Sequence, residues 1–357
     1  MLLVNKPFLP GKLEYSKLIE SIWDNFWLTN QGPLVKELES KLKSHLGVQN
    51  VHYVSNGTLA LNLAIKALDL KGEIITTPFS FVATTTSVIW ENCNPVYVDI
   101  LPDTLCINPN KIEAAITEET SAILATHVYG IPCDVEKIEQ IAKKHNLKVI
   151  YDAAHAFGVQ YKGKSILSYG DISTISFHAT KVFHTVEGGG IVNNLGPEID
   201  DKIKLLRNFG FEGEDYQLVG INAKNSEFHA AMGLANLNYI ESNLEKRKYL
   251  FRKYNEILGN AIERPAIRNE VKYNYPYYPI IFKSENELLR IKSELEYREI
   301  QSRRYFTPSL NELPYVTYKK CPLSESYSKR VLCLPFYADL KEEDALKIGS
   351  IVKELLQ

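Results

Sequence analysis

The chain has 357 residues, 45% hydrophobic and 24% charged, a length and composition that suit a large α/β unit followed by a smaller one. Its 41 Lys and Arg nearly cancel its 43 Asp and Glu, which excludes a strongly basic nucleic-acid binder and an acidic disordered tail but still allows an anionic small molecule in a local pocket. The opening stretch lacks the pattern of a secretory signal, and no apolar run is long enough for a membrane span. Five scattered cysteines (Cys93, Cys106, Cys133, Cys321, Cys333) form no CxxC and read as reduced thiols of a cytoplasmic protein.

In chain order, residues 34–46 carry apolar side chains at helical spacing and stop at Gly47. Residues 58–69 form a second helical run behind the capping text Ser55-Asn56-Gly57. Short apolar runs at 73–78, 95–100, 121–130 and 147–154 read as strands, with helix-like segments 111–116 and 135–145 between them. This alternation predicts a mainly parallel sheet with helices on both faces. A charged helix follows over 240–255, then a Tyr/Pro strand over 273–282, an amphipathic helix over 285–298 and a closing helix over 342–356. The expected division is a large domain over 15–240 and a small α+β domain over 241–357, with segment 1–14 packing on the latter.

Residues 158–165 satisfy G-x-x-x-x-G-K-S, but their alternating interior VQYK reads as a hairpin, and no helix follows to aim its N-terminus at a phosphate. The eight histidines show no metal-ligand spacing, so no metal is expected, and no G-x-S-x-G elbow occurs.

Three features in order do carry chemistry. Ser55-Asn56-Gly57-Thr58 stands at a strand-to-helix junction, where free N–H groups and a hydroxyl suit a phosphate. Asp152 ends the strand LKVIYD, where ligands of parallel sheets bind. Lys181 follows a strand and precedes Gly188, Gly189 and Gly190, which would let the backbone pass close to a bulky ligand. Each has an ordinary reading as well: a generic N-cap, a salt-bridged Asp, a solvated Lys. Together they describe the needs of pyridoxal phosphate, whose aldehyde takes a lysine and whose ring nitrogen takes a carboxylate.

The texts WLTNQGPLVKELE (27–39), SNGTLALNLAI (55–65), TPFSFVATT (77–85), DAAHAFG (152–158), SFHATK (176–181), EGG (187–189), NAKNSEFHAAMGLANL (222–237) and LPFY (334–337) fall in one family's order. The chain resembles the DegT/DnrJ/EryC1/StrS nucleotide-sugar aminotransferases over nearly its whole length. The resemblance implies the aspartate-aminotransferase-like fold type I and the cofactor pyridoxal 5'-phosphate, with pyridoxamine 5'-phosphate as its intermediate form. It matches Lys181 to the Schiff-base lysine, Asp152 to the ring-nitrogen partner and His155 to the residue beside the phenolic oxygen. Gly57, Thr58 and Leu59 match the phosphate turn, with Ser176 adding a hydroxyl, and Phe81 the aromatic on the ring. Asn222 matches an asparagine that reaches the phosphate from the neighbouring subunit, so the resemblance also implies a homodimer with shared sites. Where the family often has methionine, this chain has Asn225.

The implied substrates are L-glutamate and a nucleotide-linked keto-6-deoxysugar, within surface-polysaccharide biosynthesis. The text FHATK…VFHTVEGG looks most like enzymes that aminate C4 of dTDP-4-keto-6-deoxy-D-glucose. Amination at C3 stays open, and Lys181 argues against the dehydratase branch, where histidine replaces it. His178, Glu187, Arg303, Arg304 and Tyr305 are candidates for contact with the sugar nucleotide.

Overall fold

The computed structural model describes residues 1–356. Its centre is a seven-stranded sheet of β1 (His52–Val54), β2 (Glu73–Thr76), β3 (Asn94–Tyr97), β4 (Thr120–Thr126), β5 (Lys148–Asp152), β6 (Ile172–Ser176) and β7 (Gly189–Asn193). The strand order is β1-β7-β6-β5-β4-β2-β3; β7 runs against its two neighbours, and the other strands run parallel to one another. These strands are mostly apolar because helices cover both faces, as expected of a buried parallel sheet.

Before, between and after these strands lie α1 (Lys12–Asn25), α2 (Pro33–Leu46), α3 (Gly57–Ala67), α4 (Val82–Trp90), α5 (Val135–His145), α6 (Pro197–Leu206) and α7 (Glu227–Leu237). Local chemistry sets their ends: Gly47 takes the left-handed conformation that stops α2, and the Asn56, Asp134 and Ser226 side chains cap α3, α5 and α7. One segment differs from the sequence reading: residues 111–116 hold only short 3-10 turns. Val82–Trp90, to which the sequence assigned no element, is a helix in which Thr84, Thr85 and Ser87 are buried.

A second core contains only residues from Leu250 onward. It lies among α8 (Ile240–Leu258), α9 (Glu285–Tyr297), α11 (Glu342–Leu355) and the antiparallel pair β8 (Tyr278–Ile281) and β9 (Val331–Leu334). The remaining helix, α10 (Pro322–Arg330), is held by the large sheet's side: Asp99 accepts from the N–H groups of Leu323 and Ser324. At the other end of the chain, Leu2 pairs with Ile300 and the Phe336 N–H bonds the Val4 carbonyl.

The 158–165 text is a hairpin, Gln160–Tyr161 paired with Lys164–Ser165, with Lys162 (φ 50°) and Gly163 (φ 76°) at its tip. No helix long and apolar enough to cross a membrane occurs among the described residues, and the five cysteines are free.

Candidate active site

The register of the sheet assembles the site. Thr126 stands beside Asp152, Asp152 beside Thr174, and Ser176 beside Gly189, all at the carboxyl edge of β4, β5 and β6. A cleft of about 290 Å³ opens there. Ligands of parallel sheets bind at this edge.

At one end lies the N-terminus of α3. The Asn56 side chain takes the Leu59 N–H (2.8 Å), and the Asn56 carbonyl takes that of Ala60 (3.1 Å). The first helical N–H groups, on Gly57 and Thr58, have no acceptor within the helix and line the cleft. Gly57 lies so near β6 that a Cβ would stand 3.0 Å from the Ser176 Cβ. The Ser176 hydroxyl accepts from the His178 N–H at 3.4 Å, which leaves its own proton for the cleft.

On the floor sits Asp152, buried. Its Oδ2 accepts from the Thr84 hydroxyl at 2.7 Å and its Oδ1 from the Ala154 N–H at 3.1 Å. Desolvation raises its pKa, against the opposing effects of those two bonds and of Lys181. Beside it, His155 Nδ1 accepts from the Tyr129 N–H at 3.2 Å, so the neutral ring carries its proton on Nε2. Desolvation holds the ring's pKa well below the ordinary value, which keeps it uncharged. Phe306 stacks near it (5.8 Å, 3°) and Tyr277 meets it edge-on (4.9 Å, 70°).

Lys181 follows the turn after β6 and is half-buried in the cleft wall. Desolvation lowers its pKa to about 8, against the pull of Asp152. Phe81, at the N-cap of α4, is 53% exposed and faces the cleft.

His178, Glu187, Arg303 and Tyr305 also line the cleft. Glu187 Oε1 lies 3.6 Å from His178 Nε2, and Arg303 lies over the Tyr305 ring at 5.0 Å. Three expected residues fall elsewhere. Arg304 turns away to Glu285 (2.7 Å) and the Ser328 carbonyl (3.3 Å). Leu59 stands off the cleft: its N–H is taken by the Asn56 side chain, and its own side chain packs on the core beneath α3. Asn222 is exposed and bridges to Asn208, outside the cleft.

The glycine triplet also differs from its expected role. It lets the chain pass close to other parts of the protein and lies outside the cleft lining: a Cβ on Gly189 would meet the Asn56 carbonyl oxygen at 2.4 Å, and one on Gly190 the Phe177 ring at 3.1 Å. Asn225 is buried and satisfied, donating to the Tyr53 hydroxyl (3.0 Å) and the Glu187 carbonyl (2.8 Å).

Sequence reasoning missed Ser80, Thr126, Tyr277 and Phe306 in the lining. Ser80 lies four residues before Thr84, a spacing that becomes informative once 82–90 is read as a helix. The two aromatics arrive from the part of the chain beyond α8, and nothing in their local text marks them.

These groups fit pyridoxal phosphate. Free helical N–H groups and a hydroxyl suit its phosphate, and a buried carboxylate without a cation at salt-bridge distance suits a protonated ring nitrogen. A neutral Nε2–H suits the phenolic oxygen, and an amine of lowered pKa suits the aldehyde. No cluster of three or more potential metal ligands occurs among the described residues.

Comparison with known proteins agrees with this chemistry. The model of the DegT/DnrJ/EryC1/StrS aminotransferase family matches residues 12–353. A dTDP-4-amino-4,6-dideoxy-D-glucose transaminase of Shigella dysenteriae is 42% identical, with 99% of this chain and 98% of the relative covered. Its namesake from Escherichia coli is 40% identical, with 98% and 97% covered. Among solved structures, DesI in the presence of its TDP-sugar product matches with a TM-score of 0.94 at 30% identity, over 99% of this chain and 93% of that one. With a lysine, a carboxylate and an open helix N-terminus converging in one cleft, and a match from residue 12 to residue 353, the chain belongs to the DegT/DnrJ/EryC1/StrS aminotransferase family, whose cofactor is pyridoxal phosphate.

Proposed function

We propose that this protein moves the amino group of L-glutamate onto C4 of dTDP-4-keto-6-deoxy-D-glucose, yielding dTDP-4-amino-4,6-dideoxy-D-glucose and 2-oxoglutarate. One conjunction carries the reading: the aminotransferase cleft lies in a chain that aligns along nearly its full length, at 42% and 40% identity, with relatives bearing that product's name. Both relatives are named for a 4-amino sugar, which favours C4 over C3, and the presence of Lys181 speaks against a dehydratase.

Bound pyridoxal phosphate supplies an aldehyde carbon and a ring able to hold an electron pair. Lys181 Nζ is the nucleophile toward that carbon and then the base and acid that moves the proton of the donor's α-carbon. Asp152 holds a proton on the ring nitrogen, and His155 donates Nε2–H to the phenolic oxygen. The N–H groups of Gly57 and Thr58 and the Ser176 hydroxyl receive the phosphate, and Phe81 covers the ring. His178, Glu187, Arg303 and Tyr305 form the outer wall for the sugar nucleotide.

Exposed Asn222 is assigned to the phosphate of a neighbouring subunit, in a homodimer with shared sites. A cytoplasmic location accords with the free cysteines.

Incubation with the keto-sugar nucleotide and glutamate, with the amino carbon located by NMR, tests the reading. An amine at C4 with equimolar 2-oxoglutarate is expected. An amine at C3, or a deoxygenated sugar without 2-oxoglutarate, overturns it.

A further inference from the structure

Behind Asp152 runs a line of three buried hydroxyls that none of the roles above uses. Thr84 Oγ1 lies 2.7 Å from Asp152 Oδ2, Ser80 Oγ lies 2.7 Å from Thr84 Oγ1, and Thr126 Oγ1 lies 3.1 Å from Ser80 Oγ. Each hydroxyl has one proton, and an ionised carboxylate only accepts. Thr84 therefore gives its proton to Asp152. Ser80 must give its own to Thr84, and Thr126 must give its own to Ser80. The polarity of the whole line is fixed from one end.

The line also spans separate elements. Thr84 sits in the first turn of α4, Ser80 in the loop before it, and Thr126 at the end of β4 next to β5. All are buried, Thr84 completely, while Ser80 and Thr126 border the cleft.

We propose that Thr126, Ser80 and Thr84 form a hydroxyl relay whose aligned dipoles converge on Asp152 and hold its carboxylate ionised and oriented toward the ring nitrogen. The three are positioning residues, since they act only through Asp152. Aligned hydrogen bonds polarise one another, so the distal members add to what Thr84 alone supplies. The opposing influence is burial, which pushes the Asp152 pKa up. Besides the relay, Asp152 is faced by Lys181, which favours its charge, and by uncharged His155; His127 meets it through a backbone N–H to the Asp152 carbonyl.

The proposal rests on Asp152 being the ring-nitrogen partner, and its test begins on the full chain before pyridoxal phosphate is added. The Asp152 carboxyl is titrated by carbon-13 NMR of aspartate-labelled protein, with Asp152→Asn identifying the resonance. Thr84→Val should raise the midpoint by about one pH unit, the scale of one lost bond to a charged group. Ser80→Ala and Thr126→Val should raise it by successively smaller amounts, and Thr84→Ser should restore the wild-type midpoint. After pyridoxal phosphate is added, the pH midpoint of its absorption band should move in the same order.

Equal midpoints in all variants overturn the relay. A shift with Thr84→Val alone overturns it too, leaving Thr84 a solitary partner. Failure of Thr84→Ser to rescue overturns it in favour of a packing role. If Thr84→Val does not fold, Ser80→Ala and Thr126→Val decide, because both leave Thr84 in place. A graded shift in the unloaded protein together with full turnover by Asp152→Asn would instead overturn the role of Asp152 and leave the relay standing.

Discussion

Gly189 passes beneath the Asn56–Gly57 turn so closely that a Cβ would stand 2.4 Å from the Asn56 carbonyl oxygen and 2.8 Å from the Gly57 nitrogen. Those atoms are backbone, so nothing can swing aside. Gly189→Ala should therefore move the turn and cost about 1–3 kcal/mol of stability, the usual toll of overpacking. It should also weaken pyridoxal phosphate binding by at least about tenfold, because the N–H groups of Gly57 and Thr58 ride on that turn. Gly47→Ala is the control. Gly47 has φ 64° with nothing within 4 Å of its would-be Cβ, so about 1 kcal/mol of strain and unchanged cofactor affinity are expected. Thermal melts and cofactor titration read both.

The acidity of Lys181 gives a second prediction. With a pKa lowered from 10.5 to about 8, the unloaded protein should react with pyridoxal phosphate at a rate that climbs as pH rises toward 8 and levels off above it. Asp152 opposes the lowering, so Asp152→Asn should move that midpoint downward while cutting turnover by about a hundredfold or more. The stability sign follows. Between about 8 and 10.5 the unfolded chain holds the extra proton, so unfolding free energy gains with rising pH through that window. The gain is complete above the unfolded value and lost as pH falls through about 8. Urea melts of wild type and Lys181→Met should diverge across that window; parallel curves would contradict it.

Much of this was legible in the sequence where one local rule sufficed. Helix α5 begins and ends where its pattern said, because Asp134 caps it and Ile138, Ile141 and Ala142 bury one face. Lys162 and Gly163 made the 158–165 hairpin because both adopt the positive φ of its turn. Gly57, Asp152 and Lys181 announced the cleft, since residues at the carboxyl ends of parallel strands share one edge of the sheet. Residues 82–90 were not read as a helix because Thr84, Thr85 and Ser87 favour strand or loop locally, and only burial against α3 and the sheet overrides that. The direction of the Thr126–Ser80–Thr84 line has no linear signal at all. It exists only once Asp152 fixes one end.

Glu227 ties the first residues of α2 to α7 across 193 positions of sequence. Its Oε2 accepts from the Leu34 N–H at 2.7 Å and its Oε1 from the Val35 N–H at 3.1 Å. The side chain is buried, and the helix N-terminus compensates its charge. Glu227→Ala strips two buried donors of their acceptor and should cost about 2–3 kcal/mol. Glu227→Gln keeps one acceptor oxygen and should cost about half as much. Neither should change the KM for the sugar nucleotide, since Glu227 lies outside the cleft.

Arg303 and Arg304 are neighbours with opposite surroundings. Arg303 is exposed at the cleft with Tyr305 beneath it and no carboxylate at ion-pair distance, whereas Arg304 is half-buried against Glu285 at 2.7 Å. A guanidinium without a carboxylate partner at the mouth of a cleft is free to pair with a diphosphate. Arg303→Met should raise the KM for the sugar nucleotide about ten- to a hundredfold, the scale of a lost charge-assisted bond, with stability unchanged. Arg304→Met should leave that KM within about threefold and cost about 1 kcal/mol through its ion pair. A rise in KM from Arg304→Met equal to that from Arg303→Met would show that the anion site reaches to the Glu285 side of the loop. Glutamate supplies a second comparison for the same variant. If Arg303 holds only the nucleotide end, the KM for glutamate stays put in Arg303→Met; if both KM values rise together, one guanidinium serves both anionic substrates in turn.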